Sequence, residues 1–116
     1  MNRQAAERRG RTAETIACWY LRLKGWRVLA RRARVRGGEV DIVARRGRTL
    51  AFVEVKARAT EEEAGFALDP YRLRRVTAAA EQLAPRYMRE GDDVRIDALF
   101  LVPRRWPRHL ANVWQG

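Results

Sequence analysis

The stretch from Glu39 to Lys56 constrains the fold more than any other part of the chain. Glu39 to Arg45 alternates with the period of a strand, placing Val40 and Ile42 on one face and Glu39, Asp41 and Val43 on the other. Arg46, Gly47, Arg48 and Thr49 form a polar turn. Leu50 to Lys56 then resumes the alternation, with Ala51, Val53 and Val55 opposite Phe52, Glu54 and Lys56. Two such segments joined by a short loop pair as an antiparallel hairpin, and this loop sets Asp41 across from Glu54. Opposed residues of a hairpin share a face, so two carboxylates and a lysine meet on one patch. Gly37 and Gly38, just ahead of Glu39, permit positive φ or close backbone approach beside it.

Helical patterns flank this hairpin. Arg3 to Leu23 is free of proline and rich in helix formers; Ala13, Ile16, Ala17, Tyr20 and Leu21 make its apolar stripe, Glu14 sits at the edge of that stripe, and Gly25 ends the pattern. Trp26 to Arg32 is expected as a first strand, leading into an arginine-rich bend. Thr60 to Gly65 is a polar, acidic loop. Asp69 and Pro70 have the form of an N-cap and first helical residue, and Leu73, Val76, Ala80, Leu83 and Tyr87 recur at helical spacing as far as about Met88. Pro85 conflicts with the last turns and implies a kink or an earlier stop. Gly91 to Asp93 is a turn, Val94 to Val102 a strand covered on both faces, Pro103 to Arg108 a basic loop, and Leu110 to Trp114 a last strand. The order α-β-β-β-α-β-β predicts an α/β fold with a mixed central sheet flanked by helices, and a length of 116 residues fits one domain spanning 1–116.

The formal net charge of +11 sets the expected partner. A field of that size attracts polyanions, of which nucleic acid is the commonest in the cytoplasm. An anionic membrane surface is one alternative, and a composition biased toward arginine and alanine is the plainest one. No apolar run is long enough for a membrane span, and the basic, polar N-terminus lacks the form of a secretory signal, so a cytoplasmic location is expected. The single cysteine, Cys18, offers neither a disulfide nor a thiolate cluster and reads as a small hydrophobe on a helix. His109 stands alone and suits a hydrogen-bonded structural role. Of Trp19, Trp26, Trp106 and Trp114, at least two belong in the core or at a self-association surface, with Trp106 the best exposed candidate among its arginines and prolines. Arg31, Arg32, Arg34 and Arg36 form one candidate phosphate-binding group, and Arg72, Arg74 and Arg75 a second, each against the alternative of an ordinary solvated surface. Tyr71 either packs at the helix start or stacks on a base.

Asp41, Glu54 and Lys56 carry the chemistry. Hard cations such as Mg²⁺ take oxygen ligands, which Asp41, Glu54 and the backbone carbonyl of Val55 would supply, while Lys56 orients the attacking water or steadies charge on a phosphate. The simpler reading is a solvated sheet face with cross-strand ion pairing.

Gly38-Glu39-Val40-Asp41-Ile42-Val43 followed by Phe52-Val53-Glu54-Val55-Lys56 resembles the signature of the YraN-like family of uncharacterised bacterial proteins, which is similar to the restriction-endonuclease-like superfamily and to archaeal Holliday junction resolvases. Gly10, Ala13 and Glu14 match its first helix, Arg58 the basic residue after its lysine, and Arg95-Ile96-Asp97 a late Arg-Phe-Asp segment. The resemblance implies a restriction-endonuclease-like fold and a nuclease pocket using Mg²⁺ or Mn²⁺. Asp41, Glu54 and Lys56 take the catalytic positions in it, with Glu14 as a helical carboxylate reaching the same pocket. It further implies an endonuclease for branched or distorted DNA, acting as a homodimer if it cuts paired strands. A nucleic-acid-binding accessory protein without turnover is the alternative, because a fold does not fix its chemistry. Where related proteins often carry a lysine at the start of the second long helix, this chain has Arg72 or Arg74, which keeps the charge but is a poor proton donor.

Overall fold

The computed structural model describes residues 3–58 and 69–114, with side chains from residue 11 onward. The expected acidic loop at Thr60 to Gly65 lies outside the described residues. Helix α1 (Arg3–Leu23) is followed by strands β1 (Arg27–Val35), β2 (Gly38–Arg46) and β3 (Thr49–Ala57), helix α2 (Pro70–Tyr87), and strands β4 (Asp93–Leu101) and β5 (Arg108–Leu110). The sheet runs β1-β2-β3-β4-β5. Its neighbours are antiparallel except β3 and β4, which are parallel and joined through α2. This is the expected α/β architecture, a mixed central sheet flanked by helices.

Each helix covers one face of the sheet. Against α1 lie Ile42, Ala44, Ala51, Val53 and Leu99, meeting Ala17, Cys18 and Leu21. Against α2 lie Val40, Val43, Leu50, Phe52 and Ile96, meeting Leu73, Val76, Ala79, Ala80 and Leu83. The apolar stripe of α1 is rotated from the expected one: Cys18 is buried in place of Ile16, which is 48% exposed. Small side chains at Ala13, Ala17 and Cys18 let the helix sit close to the sheet, and the buried Glu14 shares that face. Asp69 caps α2 by accepting from the Tyr71 N–H at 2.9 Å, and the helix runs through Pro85 to end at Tyr87. Arg45, buried at the end of β2, donates to both carboxylate oxygens of Asp92 at 2.8 and 2.7 Å and to the Tyr87 carbonyl at 2.8 Å, tying the hairpin to the α2–β4 connection.

Three expectations are corrected. The arginine-rich segment is strand rather than bend as far as Val35, with only Arg36 and Gly37 in the turn. Val40 and Ile42 do not share a face, since Val40 packs toward α2 and Ile42 toward α1. Their pairing partners Ala33 and Arg31 flank Arg32, which adopts φ 50, a left-handed conformation that breaks the alternation opposite Asp41. The last strand is Arg108–Leu110 rather than Leu110 to Trp114. It stops because Asn112, at φ 56, turns its N–H to the Asp97 carboxylate, and Val113 N–H then bonds the Ile96 carbonyl. Val113 and Trp114 thereby pack toward α2. Of the tryptophans, Trp26 is buried and Trp114 half-buried, while Trp19 is largely exposed.

Gly37 takes φ 89, as its place in the β1–β2 turn requires, and Gly38 serves close approach. A Cβ at Gly38 would lie 3.0 Å from the Ala79 Cβ and 3.1 Å from the Arg75 carbonyl oxygen, both fixed on α2. Gly38→Ala is therefore expected to destabilise the fold by about 1–3 kcal/mol through overpacking, measured by denaturant unfolding. Wild-type stability in that variant would contradict the close packing of α2 on β2.

Candidate metal centre

The site forms where the hairpin opens. Pairing between β2 and β3 ends at Ile42 and Val53, and at the next position Asp41 turns its carboxylate to accept the Val55 N–H at 2.7 Å. Continued pairing would offer that N–H to the backbone of β2, so the side chain replaces one rung of the ladder and fixes itself in doing so. The Glu14, Glu39 and Asp41 carboxylates lie within 4.8 Å of one another. Glu14 reaches them from α1 and Glu39 from the start of β2. The sequence placed Glu39 on the Asp41 face without assigning it a role; its i, i+2 spacing from Asp41 was the available signal.

Each outer carboxylate has an arginine from β1. Arg32 pairs with Glu14, and Arg34 donates to Glu39 at 3.2 Å. Glu54, expected beside Asp41 as a metal ligand, pairs with Lys56 at 2.8 Å, both side chains being nearly buried, and its charge also acts on Asp41. Asp41, among the described residues, has no ion pair. Burial pushes its pKa up to about 7, with the charges of Glu54 and Glu14 adding to the rise; the Val55 hydrogen bond and Lys56 only partly oppose it.

A fully buried carboxylate elsewhere in the sheet shows the contrast. Asp97 on β4 is inaccessible to solvent. It accepts from Arg95 at 3.2 and 2.7 Å and from Asn112 N–H at 2.9 Å, and lies 2.7 Å from His109 Nε2. Burial acts to raise its pKa, but the hydrogen bonds from His109, Arg95 and Asn112 outweigh it and hold the carboxyl below the usual range. His109 thus has the hydrogen-bonded place expected of it. Asp97 is saturated by fixed donors, whereas Asp41 is surrounded by oxygens. A cluster of hard oxygen donors around a half-buried carboxylate with no ion pair has the chemistry that Mg²⁺ or Mn²⁺ requires, so the residues present fit such an ion.

The remaining candidates fall around this centre. Arg31 donates to Thr15 Oγ1 at 3.0 Å, so Arg31, Arg32 and Arg34 are each held by local partners. Arg58, following β3, donates to the Ala57 carbonyl at 2.7 Å. Arg36, Arg72, Arg74 and Arg75 are exposed. Gln82 of α2 donates to the Arg36 carbonyl at 3.0 Å, and Gly38 abuts the Arg75 carbonyl, so the β1–β2 turn packs on α2, whereas Arg31 and Arg32 bond to Thr15 and Glu14 of α1. Tyr71 is exposed.

The raised pKa has a definite consequence for stability. Because the folded value, about 7, exceeds the ordinary 3.8, the native state holds an extra proton between those values and loses stability as pH rises through that window. Asp41→Asn keeps an acceptor for Val55 and removes the ionisation. In EDTA its stability relative to the parent is expected to rise by on the order of 1–3 kcal/mol between pH 5 and pH 8. Denaturant titrations at the two pH values measure this, and a pH-independent difference would contradict the assignment of an uncompensated carboxylate.

Residues 13–101 match the model of the uncharacterised protein family UPF0102. A UPF0102 protein of Sphingopyxis alaskensis is 63% identical over 115 residues, covering 99% of both chains. Another, of Rhizorhabdus wittichii, is 59% identical over 117 residues, covering 100% of this chain and 99% of the relative. In fold, the chain is similar to Archaeoglobus fulgidus Hjc, a Holliday junction resolvase, with a TM-score of 0.61 over 89% of this chain and 72% of that one, at 20% identity. That likeness shows a shared α/β fold with a mixed central sheet flanked by helices. The family resemblance read from the paired motifs is borne out: the chain belongs to the uncharacterised protein family UPF0102.

Proposed function

We propose that this chain is a divalent-metal-dependent endonuclease of the cytoplasm that cleaves phosphodiester bonds in branched or distorted DNA. The observation that carries the reading is Asp41: a half-buried carboxylate positioned by the Val55 N–H, crowded by Glu14 and Glu39 and left without an ion pair among the described residues. The shared architecture with an archaeal Holliday junction resolvase supports the choice of substrate, and the net charge of +11 supports a polyanionic one. No helix among the described residues is long and apolar enough to cross a membrane.

Asp41, Glu54 and the Val55 carbonyl would hold Mg²⁺ or Mn²⁺, with Glu14 and Glu39 completing the oxygen cluster. When bound, the ion supplies Lewis acidity toward a phosphate oxygen and the attacking water. The chain's own residues do the rest. Glu54 keeps the Lys56 ammonium directed into the site, where it donates hydrogen bonds to the water or to a non-bridging phosphate oxygen. Arg32 and Arg34 offset the charge of Glu14 and Glu39, limiting the repulsion that an incoming phosphate meets. Arg36, Arg58, Arg72, Arg74 and Arg75 contact the flanking backbone. Paired cuts across a junction would call for a two-fold homodimer.

The test is cleavage of labelled four-way junction, flap, duplex and single-stranded DNA with Mn²⁺, Mg²⁺ or EDTA, comparing the parent with Asp41→Ala and Lys56→Ala. Metal-dependent cutting of branched substrates is expected, lost by more than about a hundredfold in either variant, the scale seen when one group stabilising transition-state charge is removed. Salt-sensitive binding without cutting by the parent would overturn the enzymatic reading in favour of a nucleic-acid-binding accessory protein.

A further inference from the structure

Across the sheet from the candidate metal centre, the loop between β4 and β5 exposes a tryptophan among arginines. Residues 103–108 read Pro-Arg-Arg-Trp-Pro-Arg, with three cations and no acid. Trp106 is 84% exposed, the highest value among the large exposed hydrophobic residues described. Its loop is a built turn: the Arg105 N–H bonds the Val102 carbonyl at 3.1 Å, Pro103 stands second and Arg104 third with φ 65. That third position favours glycine or asparagine, and an arginine there costs roughly 1 kcal/mol. A cation therefore stands where the backbone alone would favour another residue, an outlier of the kind that accompanies function.

The position of the loop in the sheet makes the pattern informative. Lys56 on β3 pairs with Phe100 on β4, and Phe100 pairs with Arg108 on β5, so Lys56, Phe100 and Arg108 form one row across three strands. With neighbouring strands about 4.8 Å apart, Arg108 lies about 10 Å from the Lys56 backbone, within reach of the nucleotides beside one held there. Trp106 stands two residues before Arg108. A strand whose phosphate lies at the metal centre would thus bring its neighbouring nucleotides to this loop.

We propose that the β4–β5 loop is a stacking platform for an unpaired base beside the cleavage site, with the Trp106 ring against the base and Arg104 and Arg108 on the adjoining phosphates. An indole face can take a base only where it is not stacked in a duplex, so the loop selects DNA with an unpaired or opened segment. This deepens the nuclease reading and rests on it, by naming the feature that separates distorted DNA from plain duplex. Charge complementarity supports the choice: a loop of cations around an aromatic ring suits a base flanked by phosphates.

The experiment is equilibrium binding by fluorescence anisotropy, in EDTA, of the full chain and its Trp106→Ala and Trp106→Phe variants. The probes are a labelled duplex and a fork with a short unpaired thymidine arm. Trp106→Ala is expected to weaken fork binding by about tenfold, the scale of one lost stack, while duplex affinity stays within about twofold and Trp106→Phe recovers most of the loss. Thermal unfolding of the variants should match the parent, as the side chain is exposed. Equal weakening on fork and duplex, or none on either, overturns the stacking platform while leaving the nuclease reading intact. Anionic phosphatidylglycerol vesicles bound by the parent and lost in Trp106→Ala, with fork affinity unchanged, overturn it in favour of a membrane contact. Failure of the parent to bind either DNA overturns the nucleic-acid reading and this inference together.

Discussion

At the point where β2 and β3 part, Asp41 accepts the Val55 N–H at 2.7 Å, and much of the site's geometry depends on that bond. It substitutes a side-chain acceptor for a backbone one, so the strands can separate without leaving a buried donor unpaired. It also locks the carboxylate in a confined place that α1 closes with Glu14 and β2 with Glu39. The crossover through α2 returns the chain as β4 beside β3, placing Phe100 next to Lys56 and carrying the β4–β5 loop to the same end of the sheet. Scaffold and site are therefore held by the same strands.

Two aspartates, Asp97 buried and Asp41 half-buried, divide structural from functional roles. Asp97 fastens β5 and the segment after it through Arg95, His109 and Asn112, and its charge is satisfied. Asp41 receives one amide and faces other carboxylates, so its charge is opposed. A protein selected only for stability would gain by replacing the latter, because a carboxylate whose pKa is raised by folding weakens the fold wherever it ionises. Its place beside an oxygen cluster is what a cation-binding site requires of its scaffold. The arginines of β1 moderate this arrangement by pairing with Glu14 and Glu39, which leaves the exposed arginines at Arg36 and along α2 as the wider basic surface.

The hairpin and its register were legible because period-2 alternation and a short polar loop leave few ways to pair Glu39–Arg45 with Leu50–Lys56. The α2 start at Asp69 and Pro70 was legible for an equally local reason, a cap acceptor followed by a residue that lacks an N–H. What escaped depends on distant partners. Arg32 at φ 50 looks like any strand arginine in sequence, yet it divides Val40 from Ile42 across the two faces. Ile16 has the side chain of a core residue, but the small Cys18 fits closer to the sheet. Glu39 joins the acidic cluster only because α1 brings Glu14 to it, and Glu54 turns to Lys56 on its own strand. The end of β5 is set by Asp97, twelve residues or more away in sequence.

The central claim is that this cluster binds a divalent cation, and the most direct measurement is paramagnetic broadening of backbone amides as Mn²⁺ is titrated at low ratio into ¹⁵N-labelled protein. The account predicts that Asp41, Val55 and Lys56 broaden first, together with Glu14 of α1. Broadening that begins instead at exposed carboxylates such as Glu90 and Asp93, or that is scattered over the surface, would contradict it.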